Sequence, residues 1–326
     1  MDLKIIFTLL GILTSHIHAV PNRMKLLIDT DAGSDDAVAL MLALKASDMV
    51  DVVAITCTYG NALEKNVEEN VLKILTVAGR NDVPVYSGSK KPLKSTYQPT
   101  NFFGKDGMGD IKFNKKITAK VDRSMTAPEA MSHYAKLYPK QLNIVLLGPL
   151  TNIAKAVQLD TQLAENVKQF WSMGSCPLGI GARAPDFNYG LDPESVHSFF
   201  KNIKHAPITV FPGCTRRKHK IDMSWRANVL GSKTKSEVID FLNKVERIPL
   251  KTGNGEWIPD DALALSSAIW PQKIITEKKK VEIVPIPEGI HKGFVMLKKL
   301  SKNKNVEFVE NYNHRIFLSK LLKYLK

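Results

Sequence analysis

The chain has 326 residues, 44% of them hydrophobic, with a formal net charge of +14. That length and apolar content can bury one large core. The lysine excess comes with no DNA- or RNA-reading motif, so the charge reads as solubility with incidental attraction to polyanions.

In chain order, residues 1–19 stand apart. Lys4 precedes the apolar run Ile5–Leu13, and Ile17-His18-Ala19 ends on a small residue, the pattern of a secretory signal peptide. The run is too short to span a bilayer, and no later stretch is long and apolar enough. Residues 20–326 are therefore expected to form one soluble, secreted, extracellular domain.

Leu26–Asp29 is a short apolar run of strand length. Asp29, Asp31, Asp35 and Asp36 then place four carboxylates within eight residues, and the helix-forming run Ala37–Leu44 follows. The acids thus stand on a strand-to-helix turn, where open α/β sheets place their ligand sites. At ~5 Å and an effective dielectric of ~20, each ionised pair costs about 3 kcal/mol. A hard divalent cation removes that cost, and an all-oxygen donor set suits Ca²⁺ or Mg²⁺. A solvated acidic helix cap accounts for one such Asp but not for the cluster.

Strand-like runs at 50–57, 83–86, 143–147, 170–173 and 208–211 alternate with helical patterns at 64–78, 127–137 and 151–158. This alternation predicts βαβ units: an α/β fold with an open, mostly parallel sheet flanked by helices. Residues 87–125 are polar and glycine-bearing, and read as a functional loop or lid. Three more strands are expected at 281–285, 293–297 and 306–312. An amphipathic helix at 315–326 closes the chain, with Ile316, Phe317, Leu321, Leu322 and Leu325 as its apolar face. The cysteines Cys57, Cys176 and Cys214 match no zinc spacing and permit at most one disulfide. They read mostly as buried small residues.

The segment Asp29-Thr30-Asp31-Ala32-Gly33-Ser34-Asp35-Asp36-Ala37 resembles the N-terminal aspartate cluster of the nucleoside hydrolases, the inosine–uridine-preferring ribohydrolase family. Further matches follow at Thr58-Tyr59-Gly60-Asn61, at the glycine-rich Phe102–Asp110, at Leu146-Leu147-Gly148-Pro149-Leu150-Thr151-Asn152, at Asp186-Phe187-Asn188 with Asp192-Pro193-Glu194, and at Trp257–Leu265. The resemblance runs over about residues 24–325. It implies a Rossmann-like nucleoside hydrolase fold and Ca²⁺-dependent hydrolysis of the N-glycosidic bond of ribonucleosides to free base and ribose.

Carried over residue by residue, the resemblance implies that Asp31, Asp36, the Leu147 carbonyl and Asp261 hold the metal. Asp31 doubles as the catalytic acceptor of a water proton, and Asp29 buttresses the cluster from behind. Asp35, Asn61, Met173, Asp186, Asn188 and Asp260 face the nucleoside. A one-residue shift would exchange Asp260 and Asp261; alignment on Ala264 favours Asp261 as ligand. The implied partner is a small nucleoside, with no specific nucleic acid and no membrane span; a homo-oligomer stays open.

Two departures fall on this pattern. Asp186 stands where relatives carry Glu, in a loop that looks shortened at 179–185. Asp260 stands where many carry the His that protonates the leaving base; His219 is weighed as a substitute and reads as a surface residue. These departures motivate an alternative, a secreted homologue that binds nucleosides with impaired turnover. A phosphohydrolase of the haloacid dehalogenase type also begins with Asp-x-Asp after a strand, but it has no use for the later motifs.

Overall fold

Strand β1 (Met24–Thr30) lies inside a ten-stranded sheet. The last five residues of β1 are buried. The unbroken run Leu26-Leu27-Ile28 fits a strand covered on both faces. The structure is a computed structural model and describes residues 23–326 apart from 175, 181, 183, 233–235, 253–254, 300, 303 and 305. The leader expected at 1–19 lies outside the described residues.

The remaining strands are β2 (Val50–Cys57), β3 (Val85–Tyr86), β4 (Val121–Asp122), β5 (Leu142–Leu146), β6 (Gln169–Gly174), β7 (Ile208–Pro212), β8 (Ile221–Asp222), β9 (Glu256–Trp257), β10 (Ile275–Pro285), β11 (Val295–Lys298) and β12 (Val306–Tyr312). The large sheet has the order β11-β10-β12-β7-β6-β5-β1-β2-β3-β4, and β8 pairs with β9 in a separate ribbon. From β12 to β4 every neighbouring pair is parallel. β10 pairs antiparallel with both β11 and β12, so it runs against the other strands of that sheet. The expected α/β architecture with a mostly parallel sheet is therefore the observed one.

This order places the site. The chain leaves β1 toward β2 on one side and returns through β5 on the other. The strand order reverses there, so the connections after β1 and β5 diverge and leave a crevice at the strands' carboxyl ends. The acids follow β1, and Leu147-Gly148-Pro149 follows β5.

Helices cover both faces. Ser34–Lys45, Glu64–Ala78, Glu237–Val245, Asp260–Ile269 and His314–Leu325 pack over one, with Val38, Leu42, Val71, Leu265 and Phe317 in that core. Ala127–Leu137, Thr151–Leu159 and Pro193–Asn202 pack over the other, burying Met131, Ile153 and Phe199. The closing helix buries Phe317, Leu321 and Leu325. Among the described residues no helix is long and apolar enough to cross a membrane.

Strands β2 and β12 have the bounds expected from the sequence. β10 begins six residues earlier than expected, at Ile275. Its added part is largely exposed and charged, so it shows no apolar period, yet it pairs with β12. The two-residue strands β3 and β4 are too short for periodicity to mark their bounds.

Candidate active site

The site begins where β1 ends. The Thr30 hydroxyl donates to Asp36 Oδ1 at 2.5 Å and accepts from the Ala32 amide at 3.1 Å. Ala32 has φ of +29°, a left-handed conformation that side chains rarely adopt, directly after Asp31. Asp36 Oδ2 accepts from the Gly33 amide at 2.8 Å and from Asn61 Nδ2 at 3.2 Å. Asp36 is thus fully buried, with donors on both oxygens.

Asp31 is supplied on one side only. Its Oδ2 accepts from the Asn61 amide at 2.6 Å, while its buried Oδ1 has no hydrogen-bond partner. The approach depends on Gly60, since a Cβ there would lie 1.9 Å from Asp31 Oδ2. Behind Asp31, Asp29 Oδ1 accepts from the Thr56 hydroxyl at 2.7 Å and Asn152 Nδ2 at 2.8 Å. Burial pushes the Asp29 carboxyl up to about 7, against those two hydrogen bonds.

After β5, the Leu147 amide donates to the Asp29 carbonyl at 2.8 Å, anchoring the turn. The Leu147 carbonyl accepts from Asn188 Nδ2 at 2.5 Å. That nitrogen is also 3.7 Å from Met173 Sδ, and Asn188 Oδ1 is buried with no partner. Asp186 caps the short helix Phe187–Leu191, accepting from the Asn188 and Tyr189 amides at 3.1 and 3.3 Å. Burial raises its carboxyl to about 6, and those amides oppose the rise.

Asp260 and Asp261 open the helix Asp260–Ile269. That helix and Ser34–Lys45 pack together and present their first turns to the same place. Carboxylate oxygens of Asp35, Asp36 and Asp261 lie within 4.8 Å of one another. Burial, and next the charge of Asp36, push Asp31, Asp35 and Asp261 well above the usual carboxylate range. Two helix N-termini offset part of that repulsion, and a hard cation among these oxygens would offset far more.

A cavity of about 710 Å³ opens over this cluster. Asp31, Asp35, Asn61 and Leu147 line one wall, Met173, Asp186 and Asn188 a second, and Asp260 and Asp261 a third. Asp36 sits beneath the floor. The trio differs in one respect from the ligand set implied by resemblance: Asp35 stands among the clustered oxygens and Asp31 does not, although Asp31 and Asp36 both accept hydrogen bonds from Asn61.

The sequence reading assigned no role to the rest of the lining. Phe102 and Phe103 reach the cavity from the 87–125 loop, and Trp257 faces them from β9. The Trp257 indole donates to Glu246 Oε1 at 2.7 Å, and Glu246 Oε2 is 2.6 Å from Nη2 of fully buried Arg226. The only advance signal was aromatic residues inside two of the quoted motifs. Buried Arg216 also escaped notice: its Nε donates to Asp260 Oδ1 at 3.0 Å and its Nη1 pairs with Glu256.

Residues 26–319 match the family described as inosine-uridine preferring nucleoside hydrolase. The chain belongs to that family. It is 32% identical over 275 residues to the inosine-uridine preferring nucleoside hydrolase of Crithidia fasciculata, covering 79% of this chain and 83% of that protein. It is 34% identical over 190 residues to uridine nucleosidase 1 of Arabidopsis thaliana, covering 57% of this chain and 55% of that one. The chain spans about half the length of the plant relatives it matches. Among solved structures, a plant nucleoside hydrolase superposes with a TM-score of 0.83 at 25% identity, covering 93% of this chain and 98% of that one. An inosine-guanosine nucleoside hydrolase shares the fold, with a TM-score of 0.85 at 21% identity, covering 93% and 98%.

His219 does not line the cavity. Its Nε2 lies 2.9 Å from Asn311 Oδ1 and its ring stacks on His314 at 4.9 Å. Asp260, which the resemblance sets at the place of a His, does line the cavity. Burial raises the Asp260 carboxyl and the Arg216 charge opposes the rise.

Proposed function

We propose that this chain hydrolyses the N-glycosidic bond of ribonucleosides, releasing free base and ribose, with Ca²⁺ as the cation held by Asp31, Asp36, Asp261 and the Leu147 carbonyl. The observation that carries this reading is convergence. Acids from the β1 turn and from the Asp260–Ile269 helix meet Leu147 around one cavity, and Asp31, which lines it, has a buried Oδ1 with no hydrogen-bond partner. The donor set is all oxygen, which fits a hard divalent ion. When bound, such an ion neutralises the carboxylates and acidifies a water, making a nucleophile available near neutral pH.

The chain's own groups do the rest. Asp31 Oδ1 accepts the water's proton, because Oδ2 is already engaged by the Asn61 amide. Asp35 holds a ribose hydroxyl, and its charge favours the cationic sugar that forms as the base departs. Asn61, Met173, Asp186 and Asn188 orient the sugar, which lowers the barrier through positioning. Asp260, with Oδ1 held by Arg216, keeps Oδ2 as an acceptor on the substrate side. Phe102, Phe103 and Trp257 form an apolar flank that suits the base. The leader pattern of residues 1–19 supports export, and the amino-terminal sequence of the protein recovered from an expressing culture's medium tests that.

The test of the activity is base release from inosine, uridine, adenosine and cytidine, with and without chelator. Release that EDTA abolishes and Ca²⁺ restores is expected. A Ca²⁺-replete preparation that binds these nucleosides but releases no base overturns the reading.

A further inference from the structure

Two cysteines stand beside this machinery without taking part in it. β6 and β7 are adjacent parallel strands whose last registered pair is Gly174 with Pro212. Cys176 and Cys214 each follow by two residues, so both leave the sheet at the same level. Both are present as thiols, and the two side chains share a hydrogen bond. Arg217 Nη2 donates to Cys176 Sγ at 3.4 Å. Cys176 and Arg217 also line a second cavity of about 560 Å³, which shares Asp186 and Asp260 with the main one. A small oxidant therefore has a route to Cys176 through this cavity, and Cys214 is itself only partly buried. Cys57 ends β2, three strands from β6 in the sheet order, or about 14 Å at ordinary strand spacing. That distance is beyond disulfide reach.

We propose that Cys176 and Cys214 are a redox site that closes to a disulfide, stapling the segment that carries Asp186 and Asn188 to the turn that carries Arg216. Cys214 is the attacking sulfur. The hydrogen bond from Cys176, with help from the Arg217 charge, holds its thiol below the ordinary range, while the same bond and burial push Cys176 up. With a peroxide as oxidant, the Cys214 thiolate takes one oxygen and becomes a sulfenic acid, and hydroxide leaves. The Cys176 sulfur then displaces the second hydroxide from Cys214, and the two hydroxides take up the two thiol protons. In sum, two thiols and one hydrogen peroxide give one disulfide and two waters. The link closes a loop of roughly 40 residues, enough to constrain the unfolded chain strongly. It also ties the Asp186 segment to the turn whose Arg216 holds Asp260. That effect on substrate rests on the nucleoside reading, whereas the link itself does not.

The experiment treats the fully reduced protein with hydrogen peroxide, blocks remaining thiols with N-ethylmaleimide in denaturant, and maps the peptides. The expected result is a loss of two hydrogens, one alkylated thiol at Cys57, and a linked peptide pair containing Cys176 and Cys214. The melting temperature should rise by about 5 °C or more and return on addition of dithiothreitol. Cys176→Ser and Cys214→Ser should each abolish the rise. KM for a ribonucleoside should differ at least two-fold between linked and reduced forms. Three alkylated thiols after oxidation, or a bridge that involves Cys57, overturn the assignment. A link that changes neither melting temperature nor KM overturns its role as a staple. A preparation without nucleosidase activity still reports on the link by mass and melting.

Discussion

Asp261→Asn separates stability from function at the acidic cluster. Oxygens of Asp35, Asp36 and Asp261 lie within 4.8 Å of one another. At that distance and an effective dielectric of ~20, each fully ionised pair costs about 3.5 kcal/mol. Asp261 faces two such partners, but the raised carboxyls are partly protonated when no cation is bound. The relief on removing its charge is therefore a fraction of the sum, about 1–3 kcal/mol. The amide can also donate to the neighbouring Asp36 carboxylate.

In EDTA the variant should melt ~2–6 °C above wild type. In millimolar Ca²⁺ the order should reverse, because wild type gains binding free energy and the variant does not. Base release should fall about 1,000-fold or more, as loss of the cation removes its acidified water. A variant that melts well below wild type in EDTA, or that keeps its Ca²⁺ stabilisation, would refute the reasoning. The pH dependence follows with a definite sign. These carboxyls are raised in the folded state, so without a cation their stabilisation is fully present below about pH 4 and lost as pH rises. For Asp29 the loss runs from about pH 4 and is complete near its folded value of about 7. The EDTA melting temperature should thus fall between about pH 5 and pH 8, and added Ca²⁺ should flatten or invert that slope because its ligands must be deprotonated.

Three further substitutions probe other parts of the site. Gly60→Ala places a Cβ 1.9 Å from Asp31 Oδ2; kcat/KM should fall about 100-fold with little change in far-UV circular dichroism, and full activity would show that Asp31 is not held from that turn. Glu246→Gln strips the counter-charge from fully buried Arg226. Urea unfolding should report a loss of about 3–5 kcal/mol, and a loss below about 1 kcal/mol would deny that pair its role. Asn188→Ala removes the donor to the Leu147 carbonyl; KM should rise about ten-fold, with a smaller change in kcat. A loss confined to kcat would move Asn188 from sugar binding to the chemical step.

The sequence was informative wherever a pattern was local. Leu26-Leu27-Ile28 announces a strand covered on both faces, and the strand–helix alternation announces a parallel sheet. The nine named wall residues were readable because strand-to-helix turns keep their motifs contiguous in the chain. Phe103, Glu246 and Arg216 were not readable. Phe103 lies in a loop without period, and the other two act through partners outside their own local segments, Trp257 eleven residues on and Asp260 forty-four. Arg216 belongs to the basic run Arg216-Arg217-Lys218, which by charge alone reads as solvated, yet it is buried.

From its sequence alone, the protein determined a mostly parallel α/β sheet and a dense set of aspartates at the end of its first strand. Periodicity and local charge suffice for both. Only the tertiary structure decided which oxygens share one space, that Asp260 is tied to Arg216 rather than free, and that Cys176 faces Cys214. Those facts depend on strand order and on the packing of one helix N-terminus against another. Contacts between residues tens to hundreds of positions apart leave no periodic trace in the chain that makes them.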